Sequence, residues 1–267
     1  MPNAHRLQPG KKIQLAEIST SGRDFCSDRD DAEKEFKSLR TRIAELQHCM
    51  YAEGKHRLLV VLQAMDAGGK DSTIRHVFKG TNPQGVRVSS FKGPSKEELS
   101  HDYLWRIHKQ VPATGMIGVF NRSHYEDVLI VRVEEIVPKS VWGSRYQQIN
   151  DFERLLADTG TTILKFFLHI SKDEQKYRFQ DRLDTPHKKW KFAVDDLRKR
   201  QQWDDYQEAF EDMLNECTTD HAPWHVIPAD QKWYRNLAIA KTIVDALEKL
   251  DLQFPPVEDG IEDIVIE

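Results

Sequence analysis

Apolar positions along this chain alternate between two periods. Between residues 30 and 53, Phe36, Leu39, Ile43, Leu46 and Met50 recur at three- and four-residue steps, which predicts an amphipathic helix stopped by Gly54. Residues 58–62 are continuously apolar, the pattern of a strand covered on both faces of a parallel sheet. Further strands are predicted over 86–91, 116–120, 161–170 and 224–227. Helices are predicted over 71–78, 95–110, 142–158, 201–217 and 236–250, and Ser95-Lys96-Glu97-Glu98 resembles a capping box. Residues 123–137 read as a helix despite the strand propensity of 128–133.

Strands that alternate with helices predict an α/β fold, a doubly wound parallel five-stranded sheet. No Pro/Gly-rich linker or internal repeat divides the chain, so residues 1–267 are expected to form one domain. Residues 1–27 read as a polar surface arm, and 252–267 as an acidic peripheral tail. Residues 171–200 read as a mobile basic insertion. The formal net charge is only −4 and suggests no nucleic-acid partner. Cys26, Cys49 and Cys217 are odd in number and far apart, as expected of reduced thiols. The first twelve residues have no apolar core for a signal peptide, and no apolar run nears the ~20 residues that span a bilayer. A soluble, cytoplasmic protein is expected.

The apolar run at 58–62 leads into Ala64-Met65-Asp66-Ala67-Gly68-Gly69-Lys70-Asp71-Ser72-Thr73. A buried strand, a Gly-rich turn, a lysine and a helix start make a phosphate-binding loop. The backbone amides of Ala67, Gly68, Gly69, Lys70, Asp71 and Ser72 can converge on phosphate oxygens, with Lys70 as a point charge. The alternative is a tight turn with a surface lysine. Three positions depart from G-x-x-x-x-G-K-[ST]: Ala64 replaces the first glycine, Asp71 replaces the Ser/Thr, and Asp66 puts a carboxylate inside the loop. Asp66 can ligate Mg²⁺ through oxygen or accept a proton from an attacking phosphate; the alternative is a helix N-cap. Ser72 or Thr73 can substitute for the missing hydroxyl.

A second cluster, Asn121-Arg122-Ser123-His124-Tyr125-Glu126-Asp127, follows the third strand, where α/β sheets bind ligands. Arg122 can clamp phosphate, Asp127 can bind metal, and Glu126 can read the second substrate. Alternatively, Glu126 and Asp127 are a favourable acidic pair at a helix start. A third cluster carries Arg178 and Arg182 one helical turn apart, then Pro186, Lys188, Lys189, Trp190 and Lys191. Arginines on a closing segment suit a transition state whose charge is spread over three phosphoryl oxygens. The alternative is a solvated basic helix. Arg75, Lys79, Arg87, Lys92, Lys188 and Lys189 could line a cationic track.

Taken in order, Asp66-Ala67-Gly68-Gly69-Lys70-Asp71, Phe120-Asn121-Arg122-Ser123 and Arg178-x-x-x-Arg182-x-x-x-Pro186-x-x-x-Trp190-Lys191 resemble the polyphosphate kinase 2 family over about residues 30–250. Thr81-Asn82-Pro83-Gln84-Gly85 and Tyr125-Glu126-Asp127-Val128-Leu129 are similar to it too. The resemblance implies a P-loop kinase fold, related to thymidylate kinase, with a helical lid over 171–200. It implies phosphoryl transfer from inorganic polyphosphate to adenine nucleotides, with guanine nucleotides as further candidates. It also implies Mg²⁺, with Mn²⁺ as a substitute, and a homo-oligomer, a dimer or tetramer. Polyphosphate would lie at the loop under Lys70, Arg178 and Arg182, and the nucleotide near Asn82, Gly85, Asn121, Arg122 and Glu126. Many family members carry Asp where this chain has Asn121, which passes the metal role beside Asp66 to Asp127. The acid at Glu126 resembles the subgroup that uses both AMP and ADP. Two other readings are an ATP-dependent nucleoside monophosphate kinase and a non-catalytic polyanion- or nucleotide-binding module.

Overall fold

Strand β1 (Arg57–Gln63) lies at the centre of the sheet, and Leu58 through Leu62 are each fully buried. The structure, a computed structural model, describes residues 4–261 and 266. Strands β2 (Val86–Ser90), β3 (Ile117–Asn121), β4 (Thr161–His169) and β5 (Trp224–Pro228) complete a parallel sheet ordered β2-β3-β1-β4-β5. The five predicted strands all form. Leu62 of β1 is in register with Asn121 of β3, so the loop after β1 and the segment after β3 emerge side by side. That is the edge at which such sheets bind ligands.

The flanking helices are α1 (Arg29–Glu53), α2 (Lys70–Val77), α3 (Lys96–Leu99), α4 (Trp105–His108), α5 (Ile130–Val133), α6 (Lys139–Asp158), α7 (Lys172–Asp184), α8 (Asp195–Gln201), α9 (Trp203–Glu216) and α10 (Lys232–Glu248). Helix α1 starts where the Asp28 side chain accepts from the Asp31 amide, and it stops at Gly54 with φ 68°. Its apolar stripe buries Phe36, Ile43, Leu46 and Met50 against α10, and Arg42–Glu248 (3.0 Å) and Lys241–Glu35 (2.9 Å) bridge the two helices.

Two long helix expectations break up. The 95–110 segment begins with the expected Ser95/Glu98 capping box but forms only α3 and α4. Between them the Ser100 hydroxyl bonds back to the Glu97 carbonyl, and the Asp102 carboxylate accepts from the Leu104 amide. These local side-chain bonds compete with the helical ladder. The 123–137 segment becomes a 3₁₀ turn (His124–Asp127) and α5, parted at Leu129 (φ −104°, ψ −85°). Burial of Tyr125, Val128 and Leu129 in the core overrides a continuous helix. Residues 171–200 fold as α7, a 3₁₀ helix (Pro186–Lys191) and α8, and α7 ends just before Pro186 as expected.

The N-terminal arm is fastened to β5. Leu7 donates its amide to the Trp224 carbonyl (2.8 Å), which blunts that sheet edge. The expected C-terminal tail is described only to residue 261 and at 266, and residues 253–261 are exposed. Among the described residues no helix is long and apolar enough to cross a membrane, and the three cysteines are unpaired.

Under β3 and β4 lies a fully buried ionic network. Lys165 Nζ donates to Glu153 Oε2 (2.6 Å), the Tyr125 hydroxyl (2.7 Å) and the Cys217 carbonyl (2.7 Å). Glu153 Oε1 accepts from the Tyr125 hydroxyl (2.8 Å) and lies 3.1 Å from His124 Nε2. Lys165→Met should destabilise the protein by about 3–5 kcal/mol, because it strands a buried carboxylate. Denaturant unfolding at constant m checks this, and a loss under about 1 kcal/mol would refute the assignment.

Candidate active site

The loop between β1 and α2 is shaped by two glycines with different duties. A Cβ on Gly68 would stand 2.5 Å from the Ala64 Cβ, so close packing demands glycine there. Gly69 has φ 102°, and Ala67 is also left-handed at φ 60°. Lys70 folds back over the loop, its Nζ donating to the Ala64 carbonyl (2.7 Å) and reaching Met65 (3.4 Å). Burial and then Arg122 lower its pKa to about 8, against the opposing pull of Asp66, Glu126 and Asp71. The first amides of α2 have no intrahelical acceptors, the condition under which a helix N-terminus can receive an anion. Ser72 and Thr73, the expected substitute hydroxyls, both turn onto the Gly69 carbonyl (3.2 and 3.0 Å).

Arg122 ties the loop to the segment after β3. Its Nη2 meets Asp66 Oδ1 at 2.7 Å, and its Nη1 meets Glu126 Oε2 at 3.3 Å. Its backbone is left-handed (φ 62°), a strained state for a side chain that is fixed by its surroundings. Burial opposes ionisation of Asp66, but Arg122, Lys70, Lys199 and Arg182 outweigh it and hold the carboxyl below its usual range. Asn121 donates to Asp71 Oδ1 at 2.6 Å, which joins the acid that replaces the loop's Ser/Thr to the amide that stands where aspartate was expected. An aspartate at 121 would face a carboxylate there.

Other expected site residues fall elsewhere. Asp127 turns away from Asp66 to pair with Arg145 (3.0 Å); burial raises its pKa to about 6, against Arg145 and Arg106. Asn82 and Gly85 lie at the opposite edge of the sheet, where β2 begins. The Asn82 side chain caps the Gln84 amide, and Gly85 packs on Gln47 and Tyr51 of α1. The structure therefore does not bring them to the loop. Arg178 is buried and already engaged: Nη1 donates to the Ala67 carbonyl (2.9 Å), Nη2 to Ala229 (2.6 Å), and Nε to Glu174 (2.7 Å). It staples the loop to the turn after β5. Arg182 donates to the Lys191 carbonyl (3.2 Å) and lies 3.6 Å from Asp196. Lys188 pairs with Asp181 (2.8 Å), while Lys189, Arg75, Lys79, Arg87 and Lys92 are exposed.

Sequence reasoning overlooked Lys199, whose Nζ is 3.8 Å from Asp66 Oδ2, and the Tyr206–Phe210 wall of the cavity beside Asp66 and Glu126. It also overlooked Arg235, four residues before Ile239 on the buried face of α10, where a charge on an apolar stripe was the available signal. No three His, Cys, Asp or Glu side chains among the described residues gather into a metal cluster. An ionised Asp66 still suits Mg²⁺, which is commonly held by one or two carboxylates plus substrate phosphates.

A parallel sheet whose central strand enters a Gly-Gly-Lys loop, with an arginine and carboxylates delivered from the adjacent strand, defines a P-loop phosphotransferase site. The family model described as polyphosphate kinase 2 (PPK2) matches residues 26–255, and the chain belongs to that family. It is 54% identical over 264 residues to an AMP/ADP-polyphosphate phosphotransferase from Meiothermus ruber, covering 98% of this chain and 99% of that one. It is 44% identical to an ADP-polyphosphate phosphotransferase from Rhodopseudomonas palustris, over 94% of this chain and 91% of that protein. The crystal structure of polyphosphate kinase 2 from Arthrobacter aurescens TC1 superposes with a TM-score of 0.93 at 44% identity, covering 98% and 94% of the two chains.

Proposed function

We propose that this chain transfers phosphoryl groups from inorganic polyphosphate to AMP and ADP, giving ADP and ATP. The observation that carries this reading is the Asp66–Arg122–Glu126 bridge beside Lys70, in a chain similar end to end to an AMP/ADP-polyphosphate phosphotransferase. The donor's phosphates lie on the loop amides, with Lys70 leaving the Ala64 carbonyl to meet them. Arg122 swings between Asp66, Glu126 and the transferring group, where its charge stabilises the phosphoryl oxygens. Asp66, with the substrate phosphates, would hold Mg²⁺. When bound, the ion would neutralise negative charge on the substrate phosphates.

Arg178 keeps the loop in shape through Ala67, and residues 171–200 act as the lid that carries Arg182 and Lys199 over the site. The protein works as a cytoplasmic homo-oligomer of single-domain chains. The unpaired cysteines and the exposed Tyr177, Trp190 and Val194 support this part of the reading.

The test is nucleotide formation by purified protein with polyphosphate, Mg²⁺ and either AMP or ADP. No product from either nucleotide overturns the proposal, and phosphorylation of AMP only with ATP as donor would instead mark a nucleoside monophosphate kinase. Glu126 is assigned to reading the acceptor. Glu126→Asn should therefore lower kcat/KM for AMP about tenfold more than for ADP, a difference of about 1.4 kcal/mol. Equal losses on the two acceptors would remove that role.

A further inference from the structure

Arg235 is fully buried in the first turn of α10. Its Nη2 donates to Ser72 Oγ (2.9 Å) and Asn236 Oδ1 (2.9 Å), and its Nε donates to the same amide oxygen (3.2 Å). Nη1 has no acceptor among the described residues. That atom stands 2.1 Å from where a Cβ on Gly69 would be, so the guanidinium fills the space directly behind the loop.

The partners of Arg235 are neutral, and the charge beside it has the same sign. Arg178 Nη1 is 3.5 Å from the same point behind Gly69. Burial first, and Arg178 second, push the Arg235 pKa down to about 9. Lys232, one turn away on α10, is likewise lowered by burial and by Arg178. The first turn of α10 carries no acidic residue and no side-chain cap, so it supplies no counter-charge. Glu174 is the carboxylate at hydrogen-bond distance from Arg178, and it is already bound there. A desolvated cation without a counter-ion weakens the fold that contains it. A neutral donor could satisfy Ser72 and Asn236 equally well.

We propose that Arg235 is a positioning residue of the phosphate loop, a fixed positive charge behind Gly69 and Ser72 whose counter-ion is the polyanion bound on the loop's open face. It touches no substrate. It acts through the loop backbone at Gly69 and the Ser72 side chain, across a short path of low dielectric where charges interact strongly. This inference rests on the reading that the loop holds the polyphosphate donor.

The test compares Arg235→Met, which keeps the unbranched stem without the charge, with Arg235→Lys, which keeps a charge. Thermal unfolding is measured for each full-length protein alone, with polyphosphate, and with AMP, together with KM for both substrates. Arg235→Met is expected to melt no lower than wild type when free, to lose most of its polyphosphate-induced upshift, and to raise KM for polyphosphate about tenfold with KM for AMP unchanged. Arg235→Lys should recover most of that loss. A lowered free melting temperature with an unaltered polyphosphate shift and KM would overturn the inference and make Arg235 a strut. If the AMP-induced shift is lost and the polyphosphate shift kept, Arg235 still serves the loop's anion, but the donor assignment of the loop fails.

Discussion

Lys70→Ala should lower kcat by about 10²–10³-fold, a loss of roughly 3–4 kcal/mol of transition-state stabilisation. The ammonium is buried, so a phosphoryl group in the loop meets it in a medium that screens little. It is also poised to move, since its present partners are two carbonyls of the loop itself. In the free protein the charge is held only below about pH 8, because burial disfavours the ammonium. kcat/KM should therefore fall as the pH rises through that value, and in Lys70→Arg the alkaline limb should move upward or vanish. A loss of less than about tenfold in Lys70→Ala would mean that Lys70 does not touch the reacting phosphate.

Asp66→Asn is expected to cost about 10²-fold in kcat, for two reasons that the geometry separates. Asp66 is the carboxylate that Arg122, Lys70, Lys199 and Arg182 jointly hold ionised. Without it, Arg122 keeps only Glu126 as an ionic partner and loses the fork that aims it at the phosphate. The second effect is on the metal. Among the assigned carboxylates, Asp66 lies in the loop whereas Asp127 is drawn to Arg145, so removing Asp66 should weaken Mg²⁺ activation severalfold. A Mg²⁺ titration of kcat in wild type and variant reads both effects. An unchanged Mg²⁺ midpoint with near-normal kcat would remove Asp66 from the site.

The sheet could be read from the chain because its signals are local. Five apolar runs bounded by turns became five strands, and Gly54 and Pro186 ended helices where their backbones require it. The phosphate loop was legible for the same reason: close packing and left-handed backbone confine Gly68 and Gly69 to glycine. The 95–110 and 123–137 segments were misread as continuous helices, since side-chain bonds at Ser100 and Asp102 and burial around Leu129 overrode their propensities.

The arginines show most clearly where the sequence stops. Four-residue spacing placed Arg178 and Arg182 on one helical face, but it did not show that Arg178 is spent on the Ala67 and Ala229 carbonyls. Glu126 and Asp127 were both expected at the site, one to read the acceptor and one to bind metal, yet the 3₁₀ turn sends Glu126 to Arg122 and Asp127 to Arg145. Asn82 and Gly85 shared the family pattern but ended at the far edge of the sheet. By itself the sequence determined the family, the sheet and the ligand class, because strand periodicity and loop backbone chemistry are written over a few neighbouring residues. Only the tertiary structure decided which groups meet: Lys199 with Asp66, Asn121 with Asp71, and Arg235 behind Gly69, pairs separated by up to most of the chain. Coulombic and hydrogen-bonding partners are chosen by distance in space, and packing of the sheet edge sets that distance.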